Sequence, residues 1–189
     1  MLPGGATLDR AYTVAPNSRF TITVDDILPD AEVSTFVSSD VPVGVERSMY
    51  FNGRRAGHDS IGVSRPSKTW YLAEGYTAES FDEYVLIQNP GDTDASVKAT
   101  FMTPGAGNVE KRYVVGAHSR FTIHVDDIIP AQSISTLIQS SADVVVERAQ
   151  YLNYMTAGTC SIGACSPSNT WYLAEGYTDQ GFEEWVLIQ

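Results

Sequence analysis

Ala95-Ser96-Val97-Lys98-Ala99-Thr100-Phe101 alternates apolar and polar residues without a break. Successive side chains of a strand point to opposite faces, so this period of two predicts a β-strand with one buried side. Phe121, Ile123 and Val125 alternate with Thr122 and His124 in the same way. Runs rich in Val, Ile, Leu and Tyr mark further strands at 70–73, 83–88, 112–115, 134–139 and 144–152. Turn chemistry separates them: Asn89-Pro90-Gly91-Asp92, then Pro104-Gly105-Ala106-Gly107, then Asp126-Asp127 with Pro130. No segment carries a capped apolar stripe of helical period, and residues 127–133 have room for one helical turn at most. The expected class is all-β, an antiparallel β-sandwich of about seven strands.

These strands belong to a repeat. Thr69-Trp70-Tyr71-Leu72-Ala73-Glu74-Gly75-Tyr76-Thr77 recurs letter for letter at Thr170 to Thr178, an offset of 170 − 69 = 101. The same offset carries Ser18-Arg19-Phe20-Thr21-Ile22 onto Ser119 to Ile123, and Val45-Glu46-Arg47 onto Val146-Glu147-Arg148. A self-similar unit of this length falls in the size range of a domain. The expected division is 1–65 as the back part of one repeat, 66–165 as a complete one, and 166–189 as the opening strands of another. Asn89 to Phe101 (101 − 88 = 13 residues) has no counterpart elsewhere in the chain. Met1 falls on Met102 and Gln88 on Gln189, so both ends read as cuts through a longer array. Residues 170–189 are therefore expected to dock onto 1–65, within one chain or as a strand-swapped homo-oligomer.

Composition narrows the function classes. Twelve Lys and Arg stand against 23 Asp and Glu, for a net charge of −11. That balance excludes a nucleic-acid partner, since affinity for the phosphate backbone comes from clustered cations. No apolar run approaches the roughly 20 residues of a membrane helix, so membrane insertion is not expected.

Trp70, Tyr71, Glu74 and Tyr76, repeated as Trp171, Tyr172, Glu175 and Tyr177, form the densest cluster of chemistry-bearing residues. As a ligand site, the aromatic faces would stack on sugar rings while the carboxylate accepts hydroxyl hydrogen bonds. As structure, the Trp plugs the core, Gly75 permits a bend, and an arginine holds Glu74. Glu147 and Arg148 are neighbours on an apolar strand, hence on opposite faces, and an inward charge needs a partner. The expected partner of Arg148 is Glu74. Asp126-Asp127 supplies too few oxygens for Ca²⁺ and reads as a turn. Gly57-His58-Asp59-Ser60 holds triad residue types, but adjacent residues do not converge, and the second copy reads Gly158-Thr159-Cys160-Ser161. No metal site, cofactor or catalytic constellation is expected. Cys160 and Cys165, the only cysteines, are a disulfide candidate within one loop, or else two free thiols.

The Trp70 to Tyr76 motif, the Val85-Leu86-Ile87-Gln88-Asn89-Pro90-Gly91-Asp92 strand and turn, Ser135 to Ser140, and Val144-Val145-Val146-Glu147-Arg148 resemble tandem repeats of large secreted or surface-anchored bacterial proteins. The same motifs, in order, more distantly resemble the sensory rhodopsin transducer family, whose members are small soluble β-sandwich proteins that assemble as tetramers. The resemblance implies a β-sandwich with a non-enzymatic role at the bacterial cell surface or outside the cell. The first expectation is a structural or adhesive spacer whose partners are neighbouring repeats of the same protein. The alternative is a carbohydrate-binding module for a surface glycan, and a third reading is a soluble transducer-like signalling protein.

Overall fold

A computed structural model describes residues 1–105 and 107–189; Ala106, part of the 104–107 turn signal, lies outside them. Nine strands form: β1 (Glu46–Phe51), β2 (Ala56–Ile61), β3 (Ser67–Leu72), β4 (Phe81–Asn89), β5 (Ala95–Thr103), β6 (Gly107–Val115), β7 (Ser119–His124), β8 (Ser135–Leu152) and β9 (Ala157–Ile162). All pairings are antiparallel. The described residues hold no helix, and so none long and apolar enough to cross a membrane. The fold is all-β.

β8 organises the unit. Its first part pairs with β5, as far as Ser140, on one side and with β3, as far as Val144, on the other; its second part, from Val145, pairs with β4 and β9. This gives two four-stranded halves, β6-β5-β8-β3 and β7-β4-β8-β9, that share one strand. Sequence reading splits this strand into runs at 134–139 and 144–152, but the structure joins them. Nothing between the runs is Gly or Pro, and the Ser141 hydroxyl accepts the Ser96 N–H at 2.9 Å just beyond the β5 ladder.

Both halves feed one apolar cluster. Trp70 and Leu72 enter from β3, Val97, Ala99 and Phe101 from β5, Val85 and Ile87 from β4, and Ile138, Val144 and Val146 from β8. A fully buried Phe, Ile or Val contributes about 1.5–3 kcal/mol. The alternation of 95–101 is thus the pleat itself, with Val97, Ala99 and Phe101 inward and Ser96 and Lys98 outward. Thr100 breaks the polar-out rule and is buried, facing Leu137 in the ladder. After β7 a single turn closes, with Ile128 and Ile129 N–H both donating to the Val125 carbonyl at 2.9 Å.

The backbone repeats along with the sequence. Asn17 and His118, Asp30 and Ala131, Asn52 and Asn153, Arg54 and Met155, and Glu79 and Gln180 all have positive φ, each pair 101 residues apart. β1–β2 has the same register as the hairpin made by the end of β8 with β9: Phe51 faces Ala56 as Leu152 faces Ala157. Each hairpin closes through three successive left-handed residues, 52–54 and 153–155.

The expected docking of 170–189 onto 1–65 within one chain does not occur. Among the described residues, 166–189 forms no strand, and β1 pairs only with β2. The hairpin instead lays the face bearing Arg47, Phe51 and His58 onto β8–β9, where Phe51 meets Tyr151 edge-on at 5.2 Å. That face cannot also cover residues 170–189.

Candidate functional site

β3 sets Trp70 into the core. Its indole N–H points at the carbonyls of Val144 (2.9 Å) and Ser67 (3.1 Å), so both the ring and its polar edge are spent inside the fold. Tyr71 and Tyr76 are half-buried. The backbone of Tyr71 exchanges hydrogen bonds with Ala164 at 2.8 and 2.9 Å, extending the sheet past β9. Beyond β3 the chain crosses over β4 and β8. A Cβ on Gly75 would lie 2.5 Å from Glu83 Oε2 and 2.8 Å from the Ile134 carbonyl, so only glycine fits this crossing.

Beneath the crossing lies a polar cluster. Glu83 on β4 faces Gln150 on β8, and Arg148 stands two residues before Gln150 on the same inward face. The Arg148 guanidinium meets the Glu74 carboxylate, which comes from the crossing segment and keeps about a third of its side chain exposed. Hydrogen-bond geometry fixes the Gln150 amide with its nitrogen donating to Glu74 Oε1 (2.8 Å) and its oxygen accepting the Tyr76 N–H (2.8 Å). Burial pulls the Arg148 pKa down to about 10. Glu83 is fully buried, and among the described residues neither of its carboxyl oxygens has a hydrogen-bond partner. Burial pushes its pKa up to about 8. At neutral pH the cluster therefore holds one ion pair, one amide and one neutral carboxylic acid. This arrangement clamps the crossing to the sheet.

Trp171, Tyr172, Glu175 and Tyr177, the counterparts in the third copy, all lie in the exposed 166–189 segment.

Sequence reasoning missed a second cluster, on the outward face of β4 and β7. Tyr84 stacks on His124 with centroids 4.7 Å apart, as their register pairing dictates. His124 Nε2 lies 3.7 Å from Asp82 Oδ1 and 3.6 Å from Asp126 Oδ2, while Nδ1 lies 3.1 Å from Asp127 Oδ2. Asp126 also accepts the Glu83 N–H at 2.8 Å, and burial raises the Asp126 pKa. The ligand atoms of Asp82, His124 and Asp126 lie within 4.8 Å of one another, a donor set that suits a divalent transition metal with open positions. Asp126 is still the turn residue that sequence suggests. The cross-strand register that brings Asp82 to His124 is not visible from spacing.

The third constellation is the contact between hairpins. Arg47 Nη2 lies 2.9 Å from Glu147 Oε1 and 3.2 Å from Cys160 Sγ. His58 Nε2 lies 3.3 Å from the Tyr151 hydroxyl, and burial lowers the His58 pKa. The Cys160 thiol donates to the Asp59 carbonyl at 3.1 Å, and burial pushes its pKa to about 11. The Cys160–Cys165 bridge is not formed: both are free thiols. Cys160 lies on β9, and the chain stays extended through Ala164, so five residues at about 3.3 Å each carry Cys165 out of disulfide range.

No family model matches the chain, and no curated protein matches it. Solved structures similar to it in part include the following two. The crystal structure of Thermotoga maritima 1070 is 19% identical over 53% of this chain and 96% of that one, with a TM-score of 0.49. The Anabaena sensory rhodopsin transducer is 29% identical over 45% of this chain and 97% of that one, with a TM-score of 0.40.

Proposed function

We propose that the chain is a non-catalytic β repeat module of an extracellular bacterial surface protein, acting as a structural or adhesive spacer. The observation that carries this reading is the sequence repeat at the 101-residue offset, with which five pairs of positive-φ residues and the register of one hairpin recur. Supporting it, two of the four residues singled out for chemistry in the complete unit, Trp70 and Glu74, are engaged within the fold, while Tyr71 and Tyr76 are half-buried. Trp70 fills the core, and Glu74, Gln150 and Arg148 bind one another across the crossing. In such an array each unit is stabilised by itself and its neighbours, and function comes from reach and avidity.

Solution scattering on arrays of two, three and four complete units tests the reading. A spacer lengthens by a constant increment per added unit. An array that collapses into a body whose longest dimension stops growing would overturn it. A glycan-binding screen of the same arrays, with Tyr71→Ala and Tyr76→Ala as controls, separates spacer from carbohydrate-binding module.

A further inference from the structure

Register sets two carboxylates against each other on the outward face of the complete unit. β4 pairs with β7 so that Tyr84 faces His124, and beyond that pair the Val125 N–H donates to the Glu83 carbonyl at 2.9 Å. One step further along the same register, Asp82 stands opposite Asp126, and strand parity puts both on the face of Tyr84 and His124. Like charges directly opposite on neighbouring strands destabilise a sheet. Asp127 adds a third carboxylate from the turn. Among the described residues, none of the three has a Lys or Arg as an ion-pair partner, and their one basic neighbour is His124.

The imidazole is aimed between the opposed carboxylates. His124 Nε2 stands 3.7 Å from Asp82 Oδ1 and 3.6 Å from Asp126 Oδ2, too far for a hydrogen bond to either. That nitrogen is shielded from solvent and has no hydrogen-bond partner among the described residues. Nδ1 lies 3.1 Å from Asp127 Oδ2, so the nearer carboxylate places the ring proton on Nδ1 and leaves the Nε2 lone pair facing Asp82 and Asp126. A carboxylate behind the imidazole is the usual device that orients a metal-ligating His. Tyr84 fixes the ring plane by stacking at 4.7 Å, and Tyr151 backs Tyr84 edge-on at 5.9 Å. Asp126 is held in turn, by accepting the Glu83 N–H at 2.8 Å.

The separations fit an ion among the three groups. Ligand atoms bonded tetrahedrally at about 2.0–2.1 Å stand about 3.3 Å from one another. Here the nitrogen-to-oxygen gaps are a few tenths of an ångström wider, and all three ligand atoms lie within 4.8 Å of one another. A small rotation of the partly exposed Asp82 side chain closes the difference. One imidazole with two carboxylates suits a borderline first-row ion, whereas Ca²⁺ wants six to eight oxygens and Mg²⁺ prefers oxygen alone.

We propose that Asp82, His124 and Asp126 bind one divalent transition ion of the Zn²⁺ type, with Asp127 as the positioning residue behind His124 and water in the open positions. Asp82 comes from the start of β4, His124 from the end of β7 and Asp126 from the turn after it. The ion therefore ties β4 to that turn and neutralises the opposed carboxylates. At the 101-residue offset Asp126 and Asp127 correspond to Asp25 and Asp26, but Thr23 stands in the place of His124. The nitrogen ligand thus belongs to the complete unit, and the expected stoichiometry is one ion per chain. This assignment goes beyond the spacer reading and does not depend on it.

Calorimetric titration of the full chain with Zn²⁺ alone tests it, with Cys160→Ser and Cys165→Ser removing thiols that would compete. Binding should saturate at one ion per chain, and Ca²⁺ or Mg²⁺ should bind at least about a hundredfold more weakly. Asp127→Asn should weaken Zn²⁺ binding by about 10–100-fold, the range for an outer partner, and His124→Gln or Asp82→Asn by more than that. His118→Asn is the control, since that histidine pairs with Asp92 at the other end of β7, and it should leave the affinity unchanged. Nitrogen NMR of the histidine rings, on the chain with His124 intact, reads the site without any substitution in it: Nε2 of His124 should shift with Zn²⁺ while Nδ1 keeps its proton. No saturable binding, an unshifted Nε2 at saturation, or Ca²⁺ binding as tight as Zn²⁺ would each overturn the proposal. So would an affinity unchanged by His124→Gln; should that variant lose its strands by circular dichroism, the NMR result decides. None of these failures touches the scattering test of the spacer reading.

Discussion

Glu83→Gln should make the protein more stable as pH rises from 5 to 8, relative to the native sequence. The carboxyl of Glu83 has a pKa of about 8 in the fold, raised chiefly by burial from an ordinary value of 4.5. Between these values the folded chain holds a proton that the unfolded chain releases. Unfolding free energy then falls with pH by about 1.4 kcal/mol per unit, with its full contribution present below pH 4.5 and lost as pH climbs through 8. Over that window the loss reaches about 4 kcal/mol as an order of magnitude, a large share of the 5–15 kcal/mol typical of a domain. Glutamine keeps the shape and cannot ionise, so its urea midpoint should stay flat where the native one falls. Trp70 lies in the same core and reports unfolding by its fluorescence, and buffered urea titrations at half-unit steps give the slope. Equal pH slopes for the two proteins would refute the assignment of a neutral, buried acid at this position.

Glu74→Gln should cost about 3 kcal/mol in the same titration, the low end for breaking a buried pair, since Arg148 is left inside while Glu74 already keeps partial contact with water. A cost under about 0.5 kcal/mol would make the pair an ordinary surface one. Gly75→Ala should cost about 1–3 kcal/mol through overpacking, because the new methyl meets both the Glu83 carboxyl and the Ile134 carbonyl. A midpoint unchanged from the native protein would show that the crossing can shift aside.

Strand positions were legible wherever one face is buried and the other wet, because the pleat forces alternation; residues 95–101 carry that pattern openly. β9 and its counterpart β2 were not, since Ala157-Gly158-Thr159-Cys160-Ser161-Ile162 has little branched or aromatic content to mark it. What holds those strands is their hairpin partner, with the Tyr151 ring lying over Gly158 at 3.0 Å from where a Cβ would be. The single length of β8 was hidden because apolar content lapses at Ser140 to Asp143, while the backbone runs on. That an inward Arg148 requires a carboxylate follows from strand parity and the cost of an unpaired charge. Glu83 needed the same parity argument one strand over, where Glu83, Val85 and Ile87 share a face, and acidity alone concealed it.

The burial of Glu83, Arg148 and Gln150 beside the half-buried Glu74 has a consequence for strand register. Apolar layers tolerate slippage, since Val, Ile and Leu pack adequately in several registers. A shift of one residue between β4 and β8 would turn Arg148 to the outward face and carry it away from Glu74, leaving a carboxylate without its cation. The cluster thus penalises wrong registers more than it rewards the right one, in the manner of a buried polar residue that fixes coiled-coil register. Because Glu74, Glu83 and Arg148 recur as Glu175, Glu184 and Arg47, the same penalty would act in other copies of the repeat. Gln150 does not recur, its counterpart being Met49, so the copy that holds Arg47 lacks the amide that in the complete unit bridges Glu74 to the Tyr76 backbone. A copy with Met49 in that place should therefore select register through its charges while holding its crossing less tightly than the unit that has Gln150.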